Sequence, residues 1–337
     1  MDSLSQLALG AAVGIATMGR RSAVWKAALW GGIAGTLPDL DAFLDHGDPL
    51  ANMVLHRADS HALFWLTLAA PLLALLPAWL HGERALYRRW WLAIWLALVT
   101  HPLLDWMTVY GTQLLRPFTD HPYAVGSVFI IDPLYTLPLL VGVIVALRRG
   151  GDARALRWNA AGLLLSTAYL GWGAAAQQHV RGVALDSLAR QGIAAERVLV
   201  TPTAFNSVLW RIVAVTPDGL HEGFHSLLDR HGELRFDRFD AGVALRPALD
   251  GHAPVQRLCR FSQGFCKLSR EGDRVLVSDL RMGQEPSYTF AFVVGRVAGG
   301  RVEALAPPVA AGRRPPIGPA LAWLWRRALG EPLAPPR

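Results

Sequence analysis

The stretch WWLAIWLALVTHPLLDWM, residues 90–107, reads as an apolar helix that closes on a histidine and an aspartate. Trp90, Trp91, Trp95 and Trp106 lie near its ends, as interfacial aromatic residues do, and the run between them is nearly long enough to cross hydrocarbon. His101 and Asp105 are four residues apart and share one helical face. Ionisable side chains are expensive beside a hydrocarbon core, so this pair asks for a reason. A structural hydrogen bond is the plain answer and metal ligation the sharper one.

The same pattern extends along the first half of the chain. Of its 337 residues 52% are hydrophobic, and the apolar residues dominate positions 1–177. Six segments read as membrane helices: 4–18, 22–37, 61–80, 90–107, 130–147 and 158–176. Met1 and Asp2 precede the first without a basic region or a small-residue cleavage site, so that segment is expected to be retained. The formal net charge of +7 would suggest nucleic-acid binding in a soluble protein, but here the basic residues lie between apolar runs and no nucleic-acid partner is expected. Arg20, Arg21, Lys26, Arg84, Arg88, Arg89, Arg148, Arg149, Arg154 and Arg157 occupy one set of loops, whereas the alternate loops, 38–60 and 108–129, hold Arg57 and Arg116 alone. Basic residues stay on the cytoplasmic side, so the alternate loops and everything after 177 are expected to face away from it, in a bacterium towards the periplasm.

From 178 to 310 the chain changes character. ERVLVTPTAFNSVLWRIVAV (196–215), DRVLVSDLRMG (273–283) and SYTFAFVVG (287–295) alternate β-branched and aromatic residues with Gly, Pro and Asp. The expected fold is an α-helical membrane bundle of about six segments, residues 1–177, followed by a soluble β-rich domain. Residues 311–337 are expected to form a Pro-rich hinge and a short amphipathic tail that can lie on the membrane surface. Cys259 and Cys266 bracket RFSQGF at a spacing that permits a disulfide in an oxidising compartment.

Further polar residues fall at the non-cytoplasmic end of the segments. GTLPDLDAF carries Asp39 and Asp41, HRADSHAL carries His56 and His61, and FIIDPLYTLP carries Asp132. With His101 and Asp105, four separate pieces of chain bring nitrogen and oxygen donors to one end of the bundle. Such a set suits one or two divalent ions, Zn²⁺ before Mn²⁺ or Fe²⁺, better than Ca²⁺. Each element has a bland reading as well. Asp39 and Asp41 follow a proline and suit a turn or cap, and a lone histidine is more often hydrogen-bonded than metallated. His121 and Asp120 share the outer loop as weaker candidates, while His225, His231 and His252 show no metal spacing.

Taken in order, MDSLSQLALGAAVG (1–14), GTLPDLD (35–41), HRADSHAL (56–63), HPLLDWMTVYGTQLLRPF (101–118) and FIIDPLYTLPLL (129–140) resemble the YdjM-like, LexA-regulated, membrane-bound metal-dependent hydrolases. The likeness covers residues 1 to about 147; PTAFNSVLWRIV (202–213) and DLRMGQEPSYTF (279–290) are similar to an extension found in one branch of that family. The resemblance implies a bacterial inner-membrane hydrolase with Asp39, Asp41, His56, His61, His101 and Asp105 as ligands. Many relatives carry a histidine where this chain has Gln6, which would remove one ligand here. A looser likeness of the His101/Asp105 pair to zinc-dependent phospholipases C implies phosphoester chemistry.

The expected function is metal-dependent hydrolysis of a lipid or lipid-linked phosphate. Arg57 and Arg116 would supply positive charge for the phosphate, Ser60 and Thr108 hydroxyls, and Asp41 or Asp105 the base where not ligated. A phosphohistidine lipid phosphatase also ends a motif in His-x-x-x-Asp, but the Pro-Ser-Gly-His run it needs is replaced here by WLALVT before His101. A transporter or metal carrier without hydrolytic activity is the remaining class. It predicts ionisable residues spread through the membrane depth, whereas segments five and six have none in their middles.

Overall fold

The computed structural model describes residues 1–230, 234–313 and 316–337; His231, and Arg314 and Pro315 of the expected hinge, lie outside the described residues. The helices are α1 (Ser3–Met18), α2 (Val24–Thr36), α3 (Pro49–Leu55), α4 (Leu63–Leu80), α5 (Tyr87–Trp106), α6 (Pro133–Arg148), α7 (Ala153–Arg190), α8 (Ala253–Phe261) and α9 (Ile317–Ala328). The chain divides into two compact units, Met1–Leu44 with His56–Ala174, and Asp45–Leu55 with Ala175–Arg337.

The first unit is helical, but it corrects the count of six membrane segments. Among the described residues α4 alone is long and apolar enough to cross a membrane; α1 and α6 are apolar and shorter. Gly19, at φ +56°, ends α1. α2 has 13 residues, which at 1.5 Å each span only about 20 Å, because Pro38 turns the chain into a 3₁₀ segment, Leu37–Phe43. The sixth segment is part of a 38-residue helix, α7, that runs past position 177 to Arg190.

Packing in this unit is inverted relative to a water-soluble bundle. Small residues such as Ala8, Ala12, Ala27, Ala70, Ala74, Ala93 and Ala97 fill the core. Large apolar ones point outwards: Trp25, Leu29 and Ile33 on α2, Leu68, Leu72 and Leu76 on α4, Leu137, Val141 and Ile144 on α6. Water penalises that arrangement and lipid does not, so small residues go where helices must approach closely. At the α1–α2 crossing, Gly10 and Gly14 face Gly31 and Gly35. A Cβ on Gly10 would lie 2.2 Å from the Gly31 carbonyl oxygen, and one on Gly35 2.7 Å from that of Gln6. That close approach holds Gly35 and Gln6 in place beside α5.

The second unit carries the β-structure: β1 (Arg197–Pro202), β2 (Leu209–Thr216), β3 (Gly219–Ser226), β4 (Asp237–Phe239), β5 (Cys266–Glu271), β6 (Arg274–Asp279), β7 (Gly283–Gln284), β8 (Ser287–Tyr288), β9 (Ala291–Ala298) and β10 (Arg301–Ala310). One antiparallel sheet has the order β1-β2-β3-β4, the other β10-β9-β6-β5, and β7 pairs with β8. β2 is buried along its length and packs Trp210 and Ile212 against Ala176, Val180 and Ala184 of α7. Cys259 of α8 and Cys266 of β5 form a disulfide, with Cα atoms 5.3 Å apart. β10 ends at Ala310, where the expected β-rich domain ends. α9 buries Trp323 and Leu324 against Leu209 and Phe224 of its own unit and leaves Ile317 and Trp325 exposed.

Candidate metal centre

Four side chains of the first unit bring one donor atom each within 4.8 Å of one another: Asp39, His61, His101 and Asp105. They arrive from separate elements. Asp39 comes from the 3₁₀ segment after α2, His61 from the short 3₁₀ turn Asp59–His61 before α4, and His101 and Asp105 from the last turns of α5. His61 Nε2 is 3.0 Å from His101 Nε2. Asp39 Oδ1 is 3.4 Å from each imidazole nitrogen, and Asp105 Oδ2 is 3.3 Å from His61 Nε2 and 3.5 Å from His101 Nε2. A tetrahedral ion with bonds of about 2.0–2.1 Å has ligand–ligand edges of about 3.3–3.4 Å, and these five separations of 3.0–3.5 Å lie close to that.

The protons agree with the distances. His101 Nδ1 lies 2.6 Å from the Gly35 carbonyl oxygen, which only accepts, so Nδ1 carries the proton and neutral His101 presents a lone pair at Nε2. Ser60 Oγ donates to Asp41 Oδ2 at 2.5 Å and therefore accepts from His61 Nδ1 at 2.8 Å, so that neutral His61 presents Nε2 as its donor atom. Two imidazole nitrogens 3.0 Å apart, flanked by two carboxylate oxygens, need positive charge between them, from a proton on His61 Nε2 or from a metal ion that displaces it. Metal-bound histidines are held in this way, with the far N–H donated to a carbonyl or to a carboxylate network. Asp105 supplies the other sign of fit. Its Oδ1 accepts from the Met1 amino group and from Gln6 Nε2 at 3.0 Å, but its Oδ2 is buried without a hydrogen bond. Arg57 Nε lies 3.1 Å from that oxygen as an ion pair. The donor set therefore fits a divalent cation.

The side chains of His61, His101 and Asp105 are fully buried, while that of Asp39 is 21% exposed, so the centre meets solvent on the Asp39 side. Several expected ligands lie elsewhere. Asp41 is fully engaged: Oδ1 accepts from His56 Nδ1 at 2.7 Å, and Oδ2 from Ser60 and from the Arg57 backbone N–H at 3.0 Å. Burial pushes its carboxyl up, but hydrogen bonds from His56, His61 and Ser60 outweigh that and hold it below the usual carboxylate range. Asp41 is thus a support behind His61, and His56 a support behind Asp41. Asp132 caps α6, accepting from Leu134 N and from the Tyr169 hydroxyl at 2.8 Å; the Asp-Pro junction that looked like a ligand is a helix start.

The expected substrate contacts separate similarly. Arg57 is 3% exposed, sits at φ +64°, stacks 5.0 Å over the Tyr110 ring and donates from Nη1 to Thr108 Oγ1 at 3.2 Å. Thr108 donates in turn to the Asp105 carbonyl. Ser60 is committed to Asp41 and His61. Arg116 pairs with Asp59 at 2.8 Å and with Gln113, so it braces the outer loop. Sequence reasoning left Gln6 as an open question and missed Gly35. Gln6 Nε2 donates to the Asp105 carboxylate and to the His101 carbonyl, which lets it support two of the four donors from α1. The repeated Gly-x-x-x-Gly spacing in α1 and α2 was the available signal for Gly35.

Fold and site together define a helical bundle with a buried His₂Asp₂ cluster, built for a membrane by its outward apolar faces. The chain belongs to the YdjM inner membrane protein family, whose model matches residues 1–180. It is also similar to the uncharacterized protein YfhP of Bacillus subtilis (strain 168), at 29% identity over 155 residues. That match takes in 43% of this chain and 46% of the relative's own length. No solved structure matches the chain.

Proposed function

We propose that the protein is a membrane-bound metal-dependent hydrolase that cleaves a phosphoester in a lipid or lipid-linked substrate. The observation that carries the reading is the convergence of two imidazole nitrogens and two carboxylate oxygens, one of them buried and without a hydrogen bond. When bound there, a divalent ion, with Zn²⁺ favoured by the donor set, supplies Lewis acidity and a water nucleophile at neutral pH. His61, His101 and Asp105 hold it from the buried side. Asp39 closes the set from the solvent side, and its second carboxylate oxygen takes the proton from the attacking water. Asp41 is too fully bonded for that task, and Asp105 too deeply buried. Arg57, buried against Tyr110 and Thr108 and paired with Asp105, adds positive charge behind the centre rather than a direct phosphate contact. The lopsided distribution of basic residues between alternate loops supports a site and C-terminal unit on the periplasmic side of the inner membrane.

A second reading, a metal-binding membrane protein without hydrolytic activity, is favoured by one feature: four protein ligands form the closed set common at structural ions. The exposure of Asp39 favours hydrolysis. Elemental analysis of the detergent-purified protein, followed by a phosphate-release assay across membrane lipids with and without EDTA, separates the two. Bound metal with chelator-sensitive release supports the hydrolase. Bound metal without release from any lipid supports the second reading, and a metal-free protein that still cleaves refutes both.

A further inference from the structure

The loop that follows α5 ends in a tip whose side chains have no place in water. Phe118 is 77% exposed and Leu115 44%, and large exposed apolar groups that adjoin one another mark a contact surface. The tip is not loose. Arg116 Nε bonds Asp59 at 2.8 Å, the Leu63 N–H donates to the Leu114 carbonyl at 3.0 Å, and the Gln113 N–H to the Arg57 carbonyl at 3.0 Å. Those bonds fasten the tip to both ends of the segment that carries His61.

What covers the patch follows from what it adjoins. The Phe118 ring packs edge-on against Phe64 at 5.5 Å, and Phe64 is the second residue of α4, the helix long and apolar enough to cross a membrane. The exposed face of α4 continues from Phe64 through Leu68 and Leu72 to Trp79. Phe118 therefore prolongs a lipid-facing stripe by one ring at the end of α4 nearest the metal centre, with the Arg116–Asp59 ion pair in the same loop, as suits the headgroup level.

We propose that Leu115 and Phe118 form a lip inserted into the bilayer interface at the edge of the metal centre, with phospholipid acyl chains as the occupant. The lip places lipid headgroups at the depth of His61, so a substrate reaches the centre sideways with its apolar part still in the bilayer. It rests on membrane residence and stands whether or not the centre hydrolyses anything.

Because Cys259 and Cys266 are joined, Phe118→Cys introduces a single free thiol in the full-length protein. A nitroxide label there, in phosphatidylethanolamine/phosphatidylglycerol vesicles, is read by power saturation with oxygen and with chromium oxalate. Leu72→Cys provides the lipid reference and Asp120→Cys the water reference. The expected result is that the label at 118 relaxes with oxygen, as at 72, while the label at 120 responds to chromium oxalate. Leu115→Cys repeats the measurement should Phe118→Cys fail to fold. Chromium-dominated relaxation at both 115 and 118 overturns the lip. Dipolar broadening between labels in different molecules assigns the patch to a second copy of this chain and overturns the lipid occupant.

Discussion

Both units of the protein bury charged groups, and they do so in opposite ways. In the C-terminal unit Arg211 meets Glu222 at 2.7 Å, Arg281 meets Asp279 at 2.7 Å and Lys267 meets Glu285 at 2.5 Å. Each of these charges sits directly against a counter-charge, although one guanidinium nitrogen each of Arg211 and Arg281 is buried without a hydrogen bond. In the helical unit Asp39, His61, His101 and Asp105 turn donor atoms towards a common point and leave Asp105 Oδ2 without a hydrogen bond. The first arrangement ties β-strands together; the second asks for a cation. Buried charge alone does not mark a functional site, since it is the convergence of acceptors that does so.

The comparison breaks first at the ligands. Asp105→Asn and His101→Ala each remove a donor from a set that has no spare, so bound metal should fall to background by elemental analysis and phosphate release should vanish with it. Both proteins should still insert, because the apolar helix is intact. Full metal content in either variant would sink the assigned centre. In the other unit Glu222→Gln leaves Arg211 as an uncompensated buried charge and should cost about 3–5 kcal/mol, seen as a lower denaturation midpoint, with metal content unchanged. If that substitution removes the metal instead, the two clusters are not independent.

A finer test lies behind the ligands. Asp41→Asn weakens the hold on His61 Nδ1 without taking away a ligand, and supporting residues of this kind change metal affinity by about 10–100-fold. Competition with a chelator should show a loss in that range for Asp41→Asn and almost none for Asp132→Asn, whose carboxylate caps a helix. Equal losses at the two positions would put Asp132 back among the ligands.

The smallest effect concerns the tail. Asp229 accepts from Arg327 of α9 at 2.6 Å and lies 3.3 Å from His225. Burial raises its carboxyl, but the hydrogen bonds from Arg327 and His225 prevail and hold it below its ordinary value of 3.8. A lowered carboxylate contributes stability that is present above 3.8 and is lost as pH falls through the lower folded value. Asp229→Asn should therefore destabilise the domain by about 1.5 kcal/mol at neutral pH, with a deficit that shrinks as pH drops below 3.8. A pH-independent deficit would show that the contact acts by packing rather than charge.

Much of this protein was legible in its sequence, because composition and periodicity act locally. The apolar first half, the β-rich second half, the His101/Asp105 helical pair and the presence of donors on several segments all follow from residue type and spacing. Helix length was less legible: the run to residue 37 looks continuous, but Pro38 and the 3₁₀ segment stop α2 short. Which donors converge was a tertiary decision. Asp39 and Asp41 are two residues apart on one short segment, and the fold turns one to the common point and the other to the back of His61, where Ser60 and His56 complete its bonds. Asp132 carries the same carboxylate and is spent on a helix terminus. The difference arises because ligation depends on where side chains meet in space, and that was set by the glycine-lined crossing of α1 and α2, which carries the Gly35 carbonyl to His101.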